Sequence, residues 1–133
     1  MPVVLQKINP PTLPDAPAIG YSQITVVEPG KMVFISGQIA SRRDGGPTPD
    51  SLEDQTEIAM RNLAHALESV GGTMENVAAM RVYVVDLKPE HTGAAFAVMK
   101  RFLGDVLPTM TLVGVTALAA AQYKIEIEAP AVV

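Results

Sequence analysis

The segment LPTMTLVGV, residues 107–115, follows a helix-like run and opens a β-rich stretch, so it decides how the last third of the chain folds. Pro108 ends the helix because its ring removes a backbone donor and clashes with the preceding turn. A second segment, YKIEIEA at residues 123–129, alternates Ile125 and Ile127 with charged residues. This period of two is typical of a strand that buries one face. Two strands are therefore predicted, at residues 111–116 and 123–129.

The first third of the chain predicts a β-hairpin. β-branched residues dominate 22–27, an apolar run follows at 32–36, and Pro29 and Gly30 lie between them. Turn residues between two such runs are typical of a hairpin with a longer loop. Residues 1–20 contain five prolines and predict an extended lead-in, because proline cannot donate backbone hydrogen bonds.

Two helices and one central strand are predicted in the middle of the chain. Ser51 resembles the first residue of a capping box, and the apolar residues after it recur every three to four positions until Gly71. Residues 77–85 are apolar and β-branched, as in a central strand. A second helix begins between Pro89 and Thr92.

This element order, β-β-α-β-α-β-β, predicts an α+β domain that spans residues 1–133. Two helices cannot cover both faces of a mixed sheet of about six strands, so they should pack on one face. Hydrophobic residues form 48% of the chain and charged residues only 18%. Because few charges are available to cover the other face, we expect it to contact another subunit.

Charge and composition exclude several classes of function. The net charge is −4, and the ten Lys and Arg residues are scattered along the sequence, so we expect no nucleic-acid partner. The chain has no cysteine, and its histidines, His65 and His91, lack partners at metal-ligand spacing, so no metal site is expected. No apolar stretch is long enough to span a membrane, and no signal peptide is recognisable. We therefore expect a cytoplasmic protein.

Several short segments, in their order, resemble the YjgF/Rid family of reactive intermediate imine deaminases, also called endoribonuclease L-PSP. The resemblance implies a chorismate-mutase-like fold and a homotrimer with a ligand cleft between neighbouring subunits. It also implies hydrolysis of imines or enamines such as 2-aminoacrylate to a 2-keto acid, with no metal or organic cofactor. The segments that carry the resemblance are GYSQ at 20–23, VFISGQ at 33–38, Gln55 with Asn62-Leu63, residues 77–86, Phe96, Phe102, Pro108 and IEIEA at 125–129.

The chain departs from the family pattern at three positions of the implied cleft. Active members carry an arginine two residues after the proline that matches Pro108, and its planar guanidinium can hold a substrate carboxylate with two hydrogen bonds. This chain has Met110 there, Leu112 in place of a cysteine, and Lys100 in place of an asparagine. A divergent member is therefore predicted, with a less polar cleft wall; Lys100 or Arg101 would supply a cation from another direction.

The resemblance implies a role for each residue that matches the family pattern. Glu126 is the catalytic candidate, because its carboxylate would position the attacking water. Tyr21, Ser36 and Gly37 are ligand-binding candidates, together with the replaced Lys100, Met110 and Leu112. Each has a structural alternative: Glu126 as an ordinary outward glutamate of a strand, and Met110 as a core residue.

Three functions follow from these residues. The first is a trimeric hydrolase of an imine, an enamine or a related C–N bond, with a substrate other than 2-aminoacrylate. The second is a regulatory trimer that binds a small 2-keto or imino acid without turnover, which the missing arginine favours. The third is an endoribonuclease, against which the acidic charge and the lack of a histidine pair weigh.

Overall fold

A computed structural model describes residues 5–133 of the chain. It contains seven strands, two α-helices and a short 3-10 helix at Met74–Asn76. In chain order the main elements are β1 Leu5–Ile8, β2 Ile24–Val27, β3 Met32–Val33, α1 Leu52–Ser69, β4 Ala79–Val85, α2 Pro89–Leu103, β5 Thr109–Val115, β6 Ile125–Glu128 and β7 Ala131–Val132.

The strands form one mixed arrangement around β4. β4 pairs in parallel with β5 and antiparallel with β6, while β1 pairs with β2 and β3 with β7. Single bridges connect these three groups: Ser22 with Thr109, Gln38 with Ile127, and Val77 with Ala131. The fold is therefore the predicted α+β fold with a mixed sheet.

Local signals in the sequence set both ends of α1 and the start of α2. The Ser51 side chain accepts a hydrogen bond from the Asp54 amide at 3.0 Å, which caps the first turn of α1. Gly71 follows the end of α1 with a φ of 79°, a conformation that glycine adopts at little cost. Pro89 occupies the first turn of α2, where its missing amide leaves no hydrogen bond unmade. The end of α2 was predicted at Pro108, but the helix ends at Leu103, because Gly104 follows it with a φ of 60°.

Both helices cover the same face of the sheet. The buried residues of α1, α2, β4 and β6 form one continuous core, and within residues 5–133 no buried side-chain nitrogen or oxygen lacks a hydrogen-bond partner. The core includes Met60, Leu63 and Leu67 of α1, Ala95, Met99 and Leu103 of α2, Met80, Val82 and Val84 of β4, and Ile125 and Ile127 of β6. In the same part of the chain, no helix is long and apolar enough to cross a membrane.

Within residues 5–133, no helix covers the opposite face, which is called the open face below. Arg81 and Tyr83 of β4 project there, beside Glu128 of β6. The Tyr83 hydroxyl donates a hydrogen bond of 2.6 Å to Glu128, and Arg81 lies 3.7 Å from the same carboxylate. The hydrogen bond raises the pKa of Tyr83. The bond therefore stabilises the fold while the phenol is protonated, and this stabilisation is lost as the pH rises through the raised pKa.

Apolar side chains also lie exposed on the open face. Ser22 pairs with Thr109, so Ile24 and Val26 continue the face that carries Thr109 and Val113. Ile24 is 37% exposed, Val26 43% and Val113 39%. An apolar sheet face that no helix of its own chain covers is typical of a surface that contacts another molecule.

Two sequence predictions about the first third of the chain need correction. The hairpin between residues 22–27 and 32–36 is wrong, because β2 pairs with β1 and β3 pairs with β7. The lead-in predicted for residues 1–20 missed β1, although residues 1–4 lie outside the described part. In both cases the partner strand lies far away in sequence, beyond the reach of turn signals.

Gln55 links the start of α1 to the loop before β6. Its side chain is fully buried and donates to the carbonyls of Pro49 and Gln122, each at 2.8 Å. Its amide oxygen accepts a hydrogen bond from the Lys124 backbone, also at 2.8 Å. This single side chain therefore satisfies three backbone groups from two separate segments of the chain.

Replacing Gln55 with alanine should destabilise the fold by about 3 kcal/mol, because a fully buried side chain is removed and three backbone groups lose their hydrogen-bond partner. Urea unfolding followed by circular dichroism measures this change. Gln6→Ala is the matched control, since Gln6 is exposed on β1 and should change stability by less than about 0.5 kcal/mol. Equal effects of the two substitutions would show that the Gln55 contacts contribute little.

Candidate functional site

Met110 and Lys100 line the same cavity, here called the helix-face cavity, of about 190 Å³. Met110 enters it from β5, on the sheet face that α1 and α2 cover, and Lys100 enters it from α2. Most of the remaining wall is apolar and comes from residues such as Phe96 and Leu103. Lys100 is the only charged side chain in this lining, so the cavity combines apolar walls with one cation.

Two further residues predicted from the sequence, Tyr21 and Leu112, lie near this cavity, but neither lines it. Tyr21 is half-buried and directly follows Gly20, which lines the cavity with a φ of 119°. Leu112 lies on the same face of β5 as Met110, but it packs against the core and does not line the cavity. The structure therefore brings Lys100, Met110 and the Tyr21 segment together, and leaves Leu112 outside.

Gly37 and Glu126 form a second cluster, where residues 36–38 run beside β6. Gln38 and Ile127 exchange two backbone hydrogen bonds of 2.7 and 2.9 Å, which fixes the register of this crossing. A Cβ atom on Gly37 would lie 2.6 Å from Cδ and 2.8 Å from Cγ of Glu126. The absence of a side chain at Gly37 therefore leaves room for the Glu126 carboxylate.

Ser36 is the exposed neighbour in this second cluster. Its backbone carbonyl accepts a hydrogen bond of 2.8 Å from the side chain of Gln38. Its hydroxyl is on the surface beside the segment that faces Glu126. Ser36, Gly37 and Glu126 thus lie in one region, where Ser36 is exposed and the Glu126 side chain packs over Gly37.

Met110 and Glu126 project from opposite faces of the sheet. Met110 pairs with Met80, which is 1% exposed and belongs to the core beneath the helices. Glu126 pairs with Tyr83, three residues further along β4, and side chains alternate between faces along a strand. One copy of the chain therefore carries two separate candidate regions, the helix-face cavity and the Glu126 cluster.

The helix-face cavity and the Glu126 cluster differ in the chemical groups that they offer to a ligand. The helix-face cavity offers apolar contact and one ammonium, which suit a short apolar chain that carries a carboxylate. The Glu126 cluster offers hydrogen-bond acceptors and a carboxylate able to hold a water molecule. Among residues 5–133, no group of three His, Asp or Glu side chains is placed to bind a metal ion.

The sequence reasoning missed most of the cavity wall. Ile19 and Gly20 approach from the segment before β2, α2 contributes Gly93 and Ala97, and Gly104 follows the end of α2. A signal was present in α2, because these small residues and Lys100 recur every three to four positions and so share one helix face. The approach of residues 19–20 had no sequence signal, since it depends on the pairing of Ser22 with Thr109.

The sequence and the fold of this chain both resemble proteins of one family. The family model described as endoribonuclease L-PSP matches residues 13–133. The mitochondrial protein mmf2 of Schizosaccharomyces pombe is 33% identical over 110 residues, which cover 81% of this chain and 83% of mmf2. The Escherichia coli K12 protein TdcF, provisionally named a reactive intermediate deaminase, is 32% identical over 109 residues, or 80% of this chain and 82% of TdcF.

Solved structures resemble this fold closely. The crystal structure of YyfB from Yersinia pestis, a protein of the Rid family, superposes with a TM-score of 0.90 at 30% identity, covering 97% of this chain and 98% of YyfB. The crystal structure of Escherichia coli TdcF with bound serine gives a TM-score of 0.71 at 31% identity, covering 85% of this chain and 87% of TdcF.

Gly37→Ala should turn the Glu126 carboxylate away while the fold remains intact. The cost should be about 1 kcal/mol, at the low end for overpacking, because the displaced group is the end of a flexible side chain. In a Glu126→Ala background the same substitution should be neutral or slightly stabilising, since the overlap is gone. Urea unfolding of the four proteins measures this coupling. Equal costs in both backgrounds would show that something other than Glu126 requires glycine at position 37.

Proposed function

Because the chain belongs to the endoribonuclease L-PSP (YjgF/Rid) family, we propose that it forms a homotrimer whose neighbouring copies enclose a cleft for a small metabolite. In this proposal the cleft binds a 2-keto or imino acid and hydrolyses an imine, an enamine or a related C–N bond. The family includes proteins named for reactive-intermediate deamination, TdcF among them.

The opposite orientation of Met110 and Glu126 is the observation that carries the proposal. Within one copy, the sheet separates the helix-face cavity from the Glu126 cluster, so a ligand cannot contact both. Two copies would supply one region each if the open face of one copy lies against the side of its neighbour where the helix-face cavity opens. The exposed Ile24, Val26 and Val113, and Phe34, which is 77% exposed, give an assembly the apolar surface to bury.

Glu126 would act on water in the assembled cleft. Hydrolysis of a C=N bond requires a water molecule to attack the carbon, and the nitrogen then leaves as ammonia. A carboxylate that holds the water and accepts its proton assists the attack. Gly37 would leave space for this carboxylate, and the Ser36 hydroxyl would hydrogen-bond the ligand, with Tyr21 contributing to the opposite wall.

Met110 sets the class of ligand. A methionine has no donor, so the wall offers no bidentate contact to a carboxylate. Lys100 would provide the charge contact, as a point charge rather than a planar fork. TdcF binds serine, a small amino acid; for this chain we propose a carboxylate whose apolar substituent packs against Met110 and Phe96. Turnover of 2-aminoacrylate should be at least about tenfold lower than in an arginine-containing relative.

A second candidate function is metabolite binding without turnover, and the identity of Met110 favours it. Without the guanidinium group, the affinity for a charged transition state falls more than the affinity for an apolar ligand. Such a trimer would bind a 2-keto acid according to its concentration and act in regulation, and it would not hydrolyse an imine. The cytoplasmic location stays a prediction, and the relative mmf2 is named as mitochondrial.

The assembly is tested first. Light scattering at micromolar concentration should give three times the 14.1 kDa mass of one chain. Val113→Asp should shift the protein towards monomers, because it buries a charge in the proposed contact. Val70→Asp is the matched control, since Val70 is 44% exposed at the end of α1, outside the open face. A monomeric parent protein would remove the shared cleft and the proposal with it.

Met110→Arg tests the cleft. The added guanidinium should raise affinity for pyruvate and 2-ketobutyrate by about tenfold or more, measured by calorimetry beside the parent protein. We expect binding to increase more than imine hydrolysis, because Lys100 competes for the same carboxylate.

Val70→Arg carries the same charge outside the cavity and should leave both affinities unchanged. If Met110→Arg folds and keeps the trimer mass but binds neither acid better, then Met110 is a core residue. The site assignment would then be wrong even where the assembly is right.

A further inference from the structure

We propose a second binding site, for a small molecule that carries a phosphomonoester or diphosphate group, on the outer surface of α1. The site is a groove of about 550 Å³ between α1 and residues 42–44, here called the arginine groove. It shares no residue with the helix-face cavity or with the Glu126 cluster.

Hydrogen bonds hold the loop that forms one wall of the groove. The Asn62 side chain donates to the carbonyl of Ser41 at 2.8 Å and to that of Ile39 at 3.3 Å, which ties the loop to α1. The Asp44 carboxylate accepts a hydrogen bond of 2.8 Å from the Gly46 amide, which closes the turn beyond it. The groove is therefore built from a fixed loop and a helix rather than from a free chain.

Arginines outnumber carboxylates in and beside the groove. Arg61 lies 3.3 Å from Glu57, and Arg101 lies 3.9 Å from the same carboxylate. Arg42 lies 3.7 Å from Asp44, and none of the ion pairs among residues 5–133 includes Arg43. Four guanidinium groups thus lie in a region with two carboxylates, on a chain whose net charge is −4.

The guanidinium groups are available to a ligand. The side chain of Arg61 is 58% exposed and that of Arg101 is 62% exposed. The ring of Phe102 lies 5.7 Å from the Arg61 guanidinium carbon, which orients the group and lowers the entropy lost when it binds. Guanidinium groups bind phosphate through two parallel hydrogen bonds, so this cluster is suited to a phosphate rather than to a single weak charge.

The size of the groove and the charge of the chain favour a small molecule over a nucleic acid. Its volume lies within the range of about 300–1,000 Å³ that small-molecule sites occupy. A nucleic-acid backbone needs many cations along a track, and the acidic remainder of this protein would repel it. One or two phosphate groups match the local excess of positive charge.

Calorimetry of the full-length protein with inorganic pyrophosphate, at about 50 mM salt, tests this site. We expect binding that weakens as salt is added. Arg43→Gln and Arg61→Gln should each reduce affinity by about tenfold, and Glu57→Gln should increase it by about threefold, because the competing carboxylate is removed from Arg61 and Arg101. Lys31→Gln removes one positive charge outside the groove and should change affinity by less than about twofold.

Several outcomes would overturn the proposal. They are no pyrophosphate binding, equal binding by Arg43→Gln and the parent, or binding of a single-stranded RNA oligonucleotide where pyrophosphate does not bind. Arg43→Gln gives a decision even if Arg61→Gln unfolds, because Arg43 is exposed and the substitution breaks no ion pair. The arginine groove is tested independently of the trimer, since a loss of pyrophosphate binding leaves the light-scattering and keto-acid measurements unaffected.

Discussion

Strand β4 pairs with β5 on one side and with β6 on the other, and its alternating side chains separate the two faces of the protein. Met80, Val82 and Val84 point to the helices and are almost completely buried. Arg81 and Tyr83 point the other way and join Glu128 in a polar cluster. A shift of one residue in the pairing would exchange the two sets, so the register of β4 determines both the core and the open face.

The same alternation controls where the proposed site lies. Met110 follows the core face of β5, and Glu126 follows the open face of β6, because each takes its direction from its partner on β4. A single copy therefore has an apolar cavity on one side of the sheet and the Glu126 carboxylate on the other. The proposed chemistry depends on assembly for this reason, and the exposed apolar residues of the open face give the assembly a driving force.

The distribution of arginines illustrates a different effect of folding. Arg42, Arg43, Arg61 and Arg101 are spread over 60 residues of sequence, and this scatter led to the expectation that no nucleic acid binds. The contacts of Asn62 with the loop, and of Glu57 with α2, bring these side chains to one surface. A linear count of charges cannot detect such a cluster, because the net charge of a chain says nothing about where its charges gather.

The sequence by itself determined the fold class, the family, both ends of α1 and the start of α2. Caps such as Ser51 and Gly71, and the alternation of residues 123–129, depend on neighbours within a few positions, so they are readable from local patterns. Only the tertiary structure decided that β2 pairs with β1, that Gly37 makes room for Glu126, and that Met110 shares a cavity with Lys100. These contacts join residues far apart in the chain, and the packing of the whole sheet against two helices fixes them together. No local pattern encodes that packing, because it depends on which strands meet and in which register.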